Sequence, residues 1–253
     1  MTSNSERRSR SERKEGIGET IKTIVYAVLI AVVIRSVAYE PFNIPSGSML
    51  PTLLVGDYVF VAKYPYGYSR HSLPWSPPVF DGRIFERPVV RGDVAVFKLP
   101  TDNRTDYIKR IVGLPGDRLQ LIGGRLHING AAIGRQRVDD FVLARGDRYV
   151  RIPQYRETLP NGVSYMTLDL QRNGFADNTP VYTVPEGHYF AMGDNRDDST
   201  DSRFLTQVGF IPAENLVGRA EILFFSVDGS ARWWQVWRWP TAIRYGRLFQ
   251  GVD

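Results

Sequence analysis

The chain of 253 residues has no cysteine, which excludes disulfides, a thiolate nucleophile and a cysteine-built zinc site. Histidine is nearly as scarce. His71, His127 and His188 are scattered, none sits in a catalytic motif or an HExxH spacing, and each reads as a surface or strand residue. Neither a metal, a cofactor nor a Ser-His-Asp triad is expected on these grounds. Beyond the N-terminus there is no long amphipathic helix, and no helix-turn-helix, RRM or finger signature accompanies the net charge of +5. Nucleic acid is therefore not the expected partner, and the distribution of the charge points to lipid.

Residues 1–16 are charged and serine-rich and read as a disordered cytoplasmic tail. The uninterrupted apolar run that follows, Ile24 to Ile34, is short, and alone it suits a buried helix or a signal-peptide core as well as a membrane span. Extended to residues 17–39 it is long enough to cross, with Lys22 and Arg35 near the ends able to snorkel. Six Lys or Arg precede the run and none lies between Tyr39 and Asp57. The positive-inside rule then leaves the N-terminus in the cytoplasm and residues 40–253 on the extracytoplasmic side of a single-pass protein. Ser-Val-Ala at 36–38 resembles a cleavage site, but Arg35 is a poor end for a signal core, so an uncleaved anchor is the favoured reading.

From Gly56 onward, short apolar or alternating runs such as DYVFVAKY, GDVAVFKL, DYIKRIVGL, HYFAMGD and LVGRAEILFF are bounded by turn dipeptides. Strands without intervening helices predict a mostly β, antiparallel, barrel-like domain. Residues 65–90, rich in proline and aromatics, read as an extended loop or hairpin, and 139–180 as a possible inserted subdomain. Residues 230–253 hold four of the five tryptophans and four arginines, a composition that suits either the bilayer interface or packing under the sheet. Arg-Gly-Asp at 91–93 and at 145–147 reads as a turn in both places.

Three stretches carry chemistry. NIPSGSMLPTL, 43–53, places two serines on a turn shaped by Pro45, Gly47 and Pro51. Without a histidine base, an activated serine needs a lysine whose burial lowers its pKa. Lys109 lies in the apolar strand DYIKRIVGL, while Lys63 and Lys98 are rivals that end their strands, and on this segment alone Lys109 reads equally as a strand lysine facing water. GDNRDDSTDSR, 193–203, packs four aspartates, two arginines and two serines between apolar runs and does not match an EF-hand, so it reads as a polar network held against the core.

In this order, behind an N-terminal apolar segment, these stretches resemble bacterial type I signal peptidase, a serine protease family with a Ser/Lys dyad. Pro45 to Leu53 matches the family pattern P-S-x-S-M-x-P-T-L, YIKRIVGLPGD its lysine motif and GDNRDDSTDSRF its third motif, and the similarity spans roughly residues 20–226. The resemblance implies a mostly antiparallel β domain on the outer face of the cytoplasmic (inner) membrane. It implies Ser48 as nucleophile, Lys109 as general base, Ser199 as the serine that orients the lysine, and an oxyanion hole from the Ser46 hydroxyl and the Ser48 backbone N–H. Asp194, Asp201 and Arg203 would support the site, and shallow apolar pockets would use Phe42, Ile44, Met49, Leu53, Val96, Tyr107 and Ile108, which as plain sequence read equally well as core. The implied partners are preproteins bearing signal peptides, the lipid bilayer and the nearby export machinery. A specialised Ser/Lys peptidase, such as one processing conjugation pilin, and a catalytically silent membrane-anchored binding protein remain the alternatives at this stage.

Overall fold

The computed structural model describes residues 3–145, 148–171, 174–231 and 234–252. A helix, α1, spans Ser3–Val37. Residues 3–16, expected to be irregular, thus continue the helix. The segment has no proline and many Glu, Arg and Lys, residues of good helix propensity, so nothing interrupts the turns leading into the apolar part. Glu19–Val37 is the one stretch among the described residues long and apolar enough to cross a membrane, and its large apolar side chains point outward, unburied.

Only Ala38 separates α1 from strand β1, Tyr39–Asn43, which pairs antiparallel with β2, Asp57–Ala62. These two open an eight-stranded sheet that continues through Leu216–Ser226, Val94–Lys98, Asp106–Gly113, His188–Met192 and Ile211–Pro212, with Gln250–Gly251 on the long strand. All its pairings are antiparallel. Register shifts in Leu216–Ser226, at Ala220/Ile222 and Leu223/Phe225, add local twist to the strand that carries the most neighbours. The mostly β, antiparallel architecture expected from the runs is what forms.

Between Asp106–Gly113 and His188–Met192 the chain builds smaller antiparallel sheets. The 139–180 stretch supplies the hairpin Phe141–Arg145/Arg148–Ile152 and the strands Gln154–Thr158 and Ser164–Leu168. Leu159 and Tyr165 from it pack with Leu119, Phe190 and Met192 in one cluster, so this part shares a core with the main sheet. A second cluster joins Ile44, Met49 and Leu53 of the serine turn to Val59, Val61, Val94, Val96 and Leu223. Residues 65–90 form a hairpin whose strands are Tyr68–Ser69 and Arg83–Ile84.

At the C-terminus, Trp234, Trp237 and Trp239 are exposed, while the chain beyond them returns to the sheet. Arg247 Nη2 meets Asp57 Oδ2 at 2.6 Å, and Val252 packs against the second cluster. Packing under the sheet therefore applies to the last residues and not to these tryptophans. Trp233 lies outside the described residues, as do Gly146 and Asp147 of the second Arg-Gly-Asp; the first forms a turn closed by Asp93 N–H donating to Val90 O.

Candidate active site

The turn after β1 carries Ser46 and Ser48 because Ile44 below it and Met49 and Leu53 beyond it are anchored in the core. Burying three such side chains contributes about 1.5–3 kcal/mol each relative to exposure. The chain between them is left to bulge outward with its hydroxyls. Asn195 clamps the bulge: its backbone N–H donates to Ser48 O at 3.1 Å and its Nδ2 to Gly47 O at 3.0 Å.

Lys109 comes from the strand Asp106–Gly113, and its Nζ donates to Ser48 Oγ at 2.7 Å and to Ile108 O at 3.0 Å. The amine is almost fully enclosed, Lys109 being 4 % exposed. Burial lowers its pKa to about 8, against the opposing pull of Asp201 and Asp194. At pH 7 that leaves about a tenth of the amine neutral, against ~0.03 % for a free lysine. Burial alone does not single out this lysine. Lys63, one of the rivals, is 1 % exposed and also lowered by desolvation, but its Nζ meets the Glu40 carboxylate at 2.9 Å and the Ser72 carbonyl. Lys98, the other, pairs with Asp106 at 2.8 Å. Of these three, Lys109 alone reaches a serine hydroxyl.

Ser46 Oγ stands 3.4 Å from Ser48 Oγ, at the mouth of the same turn. Ser199, expected to orient the lysine, donates its hydroxyl to Asp201 Oδ2 at 2.8 Å. It borders the site. A Cβ on Gly193 would collide with Ser199 Oγ and with the Ser48 carbonyl oxygen, so a residue without a side chain is what lets the 193–203 loop lie against the serine turn.

That loop is fixed by buried ion pairs. Arg203 holds Asp201 through Nε–Oδ1 at 2.8 Å and Nη2–Oδ2 at 2.9 Å, and Gly193 N–H adds a third bond to Asp201 Oδ2 at 2.9 Å. Burial raises the Asp201 carboxyl, but Arg203 and these hydrogen bonds outweigh it and hold it below the usual range. Asp194 is gripped by Arg110 and also accepts from Thr52 Oγ1 at 2.6 Å. Arg196 pairs with Glu157 of the neighbouring sheet, and Tyr165 OH donates to the same carboxylate at 3.1 Å.

A cleft of about 640 Å³ opens beside Ser48. Phe42, Ile44, Val96, Tyr107 and Ile108 line it, together with Ser46, Lys109 and Asp198. Met49 and Leu53, expected with them, do not: both are fully buried in the core, because the residue after Ser48 and the one four further on point inward when Ser48 points out. Of the histidines, His71 is buried rather than on the surface, next to Arg70, and none bonds to Ser48. The carboxylates of Asp169, Asp177 and Asp197 gather within 4.8 Å and could hold a cation, but each is engaged, by Arg135, by Gly174 N–H and by the Leu170 and Gln171 N–H groups respectively.

Sequence reasoning did not find Asn195, Gly193, Thr52 or Arg110. The first two lie inside the quoted GDNRDD run and Arg110 beside Lys109, so proximity to the motifs was their sole signal.

A serine hydroxyl beside a buried amine, on an antiparallel β scaffold with an apolar cleft, is an arrangement that a serine hydrolase can use. The profile of the family described as "Signal peptidase, peptidase S26" matches residues 17–225. The Signal peptidase I of Rickettsia typhi is 38% identical over 264 residues, covering 97% of each chain, and that of Rickettsia conorii is 40% identical over 249 residues, covering 91% of each. A crystal structure of a signal peptidase I from Enterococcus faecalis shares 25% identity, covering 53% of this chain and 97% of that one, with a TM-score of 0.30. The chain belongs to the signal peptidase family, peptidase S26.

Proposed function

We propose that the protein is an endopeptidase that removes N-terminal signal peptides from exported preproteins, with Ser48 as nucleophile and Lys109 as general base. The observation that carries this reading is the 2.7 Å contact between Lys109 Nζ and Ser48 Oγ in a site that keeps the amine dry. Neutral Lys109 takes the Ser48 proton as Oγ attacks the scissile carbonyl. The resulting oxyanion is received by the Ser48 backbone N–H and the Ser46 hydroxyl, and donors of this kind contribute about 2.7–4 kcal/mol each. Collapse breaks the C–N bond, and the Lys109 ammonium returns its proton to the departing amine. Water, deprotonated by the same lysine, then cleaves the Ser48 ester and regenerates the hydroxyl. Small side chains of the substrate before the cut suit the shallow wall of Phe42, Ile44, Val96, Tyr107 and Ile108. Ser199, held by Asp201, positions the loop behind the lysine. The chemistry calls on no cofactor.

The apolar part of α1 anchors the enzyme in the cytoplasmic membrane, with residues 40–253 outside, near the machinery that delivers its substrates. The test is cleavage of a preprotein by the detergent-solubilised full chain beside its Ser48→Ala variant. A single cut after a small residue, reduced by at least ~10⁴-fold in the variant, is the expected result. Equal cleavage by both would remove Ser48 from the mechanism.

A further inference from the structure

The cleft beside Ser48 does not end at its apolar wall. Arg35, Glu40, Phe42 and Asp106 line it and also line a second depression of about 300 Å³. Phe42 and then Glu40 lie successively farther from Ser48 along β1, and Asp106 lies farther than Ile108 from Lys109 along the facing strand. The depression is therefore the continuation of the cleft away from the serine. It adds three groups that the cleft beside Ser48 lacks, His71, Lys98 and Arg104.

Two of these groups are left wanting an acceptor. His71 is 4 % exposed, and its Nδ1 has no hydrogen-bond partner among the described residues. Burial, and after it the charge of Arg70, push the imidazole down to about 4, so the ring is uncharged at pH 7. Arg70 Nε donates to Nε2 at 3.3 Å, which leaves the single ring proton on Nδ1, a buried donor without an acceptor. The cations of the lining, Arg35, Lys98 and Arg104, outnumber its carboxylates, Glu40 and Asp106, by three to two. Asp106 is engaged by Lys98 at 2.8 Å, and Glu40 by Arg35 and by the buried Lys63. Arg104 is exposed, and no carboxylate among the described residues pairs with its guanidinium. Its backbone is nevertheless fixed, because Asp102 accepts from Arg104 N–H at 2.8 Å and Lys98 Nζ donates to Arg104 O at 3.0 Å.

We infer that this depression is a subsite for an acidic side chain of the preprotein, about five or six residues before the cut, whose carboxylate takes the His71 Nδ1 proton as a hydrogen bond and pairs with Arg104. The inference rests on the proposed cleavage of signal peptides and on α1 as the anchor. The spacing follows from β1: Glu40 stands four residues from Ile44, about 13 Å of strand, and an extended substrate needs as many residues beyond those held at Ser48. The side of the cut follows from Arg35, which lies in the last turn of α1 and lines the depression. This is the end of the cleft next to the bilayer, where the chain between a preprotein's apolar segment and its cut must pass. A carboxylate is selected over a lysine because the lining offers an unpaired cation and an unpaired donor, and a second ammonium would meet like charge.

The test uses one preprotein with alanine at the fifth and sixth positions before the cut, and versions with glutamate or lysine there, cleaved by the detergent-solubilised full chain. The glutamate version should show a kcat/KM about tenfold above the lysine version, with alanine between them. The ratio is read within each enzyme variant, so a general loss of activity does not enter it. Arg104→Gln, a change at the surface, should bring the ratio close to one. His71→Phe should lower it several-fold, and His71→Asn, whose amide can donate in place of Nδ1, should restore part of it. Equal rates on the three substrates, or an undiminished ratio in Arg104→Gln, would overturn the subsite and leave signal-peptide cleavage standing. A preference that follows glutamate placed after the cut instead would overturn the placement. An alanine preprotein left uncut, or cut equally by Ser48→Ala, would overturn the functional reading and the subsite with it.

Discussion

Arg110 and Asp194 face each other through two parallel hydrogen bonds, Nε to Oδ1 at 2.9 Å and Nη2 to Oδ2 at 2.8 Å, with neither side chain open to water. One partner follows Lys109 and the other follows Gly193, so the pair ties the lysine strand to the loop behind the serine. The Tyr165 ring covers the guanidinium at 4.3 Å. Asp194→Ala would strand a buried cation, and breaking such a pair costs about 3–5 kcal/mol. Chemical denaturation should show a loss of that size, and Arg110→Met with Asp194→Leu should recover part of it. A change below about 1 kcal/mol in Asp194→Ala would show that water or a rearranged partner satisfies Arg110.

With Lys109 as the proposed base, the pH dependence follows from its titration. Its ammonium cannot accept the Ser48 proton, so kcat/KM should climb about tenfold per pH unit below about 8 and level off above, reporting the pKa of the free enzyme. The Asp198 carboxylate favours the charged amine, so Asp198→Asn should move the midpoint downward. Lys109→Arg, fully protonated throughout, should be inactive at every pH. Initial rates across the range, on a substrate without titrating groups, decide the matter. A flat profile would rule out the lysine as base.

Ser199→Ala separates positioning from support. Asp201 Oδ2 keeps the Gly193 N–H and Arg203 Nη2 as donors, so no buried acceptor is orphaned and stability should change by less than about 1.5 kcal/mol. Activity should fall by about 10²-fold, because the loop lying against the serine turn loses the bond that ties Ser199 to Asp201. Ser199→Thr should restore part of it. Unfolding curves and kcat/KM measured on the same preparations give the answer, and activity within twofold of the parent would deny Ser199 any part in positioning Lys109.

Much of this was legible in the chain, and the reasons differ by residue. Alternation and turn dipeptides carry strand identity locally, so DYVFVA and HYFAM could be read as strands in isolation. Ser48 and Lys109 stood out because their motifs resemble a family. What local pattern could not supply was pairing across the chain. The Arg196–Glu157 and Arg110–Asp194 bonds join residues 39 and 84 positions apart, and nothing in either neighbourhood names the other. Likewise, Met49 and Leu53 sit in the same turn as Ser48 and differ from Ile44 only in the direction they face. That direction is set by core packing rather than composition. Lys63 shows the converse limit: apolar surroundings and burial suit a base, yet a lysine with both serves as a strut to Glu40.

The join between α1 and β1 has a kinetic consequence. Ser48 lies eleven positions beyond Val37, and even a fully extended chain of that length reaches only about 40 Å. With α1 in the bilayer, Ser48 is confined to a thin layer over the membrane, and a preprotein held by its own apolar segment searches that layer in two dimensions. Encounter then depends on copies per unit area, and the membrane acts as a linker that raises the effective concentration of each partner for the other. A KM measured in detergent and one measured in vesicles are accordingly different quantities, one a bulk concentration and the other a surface density.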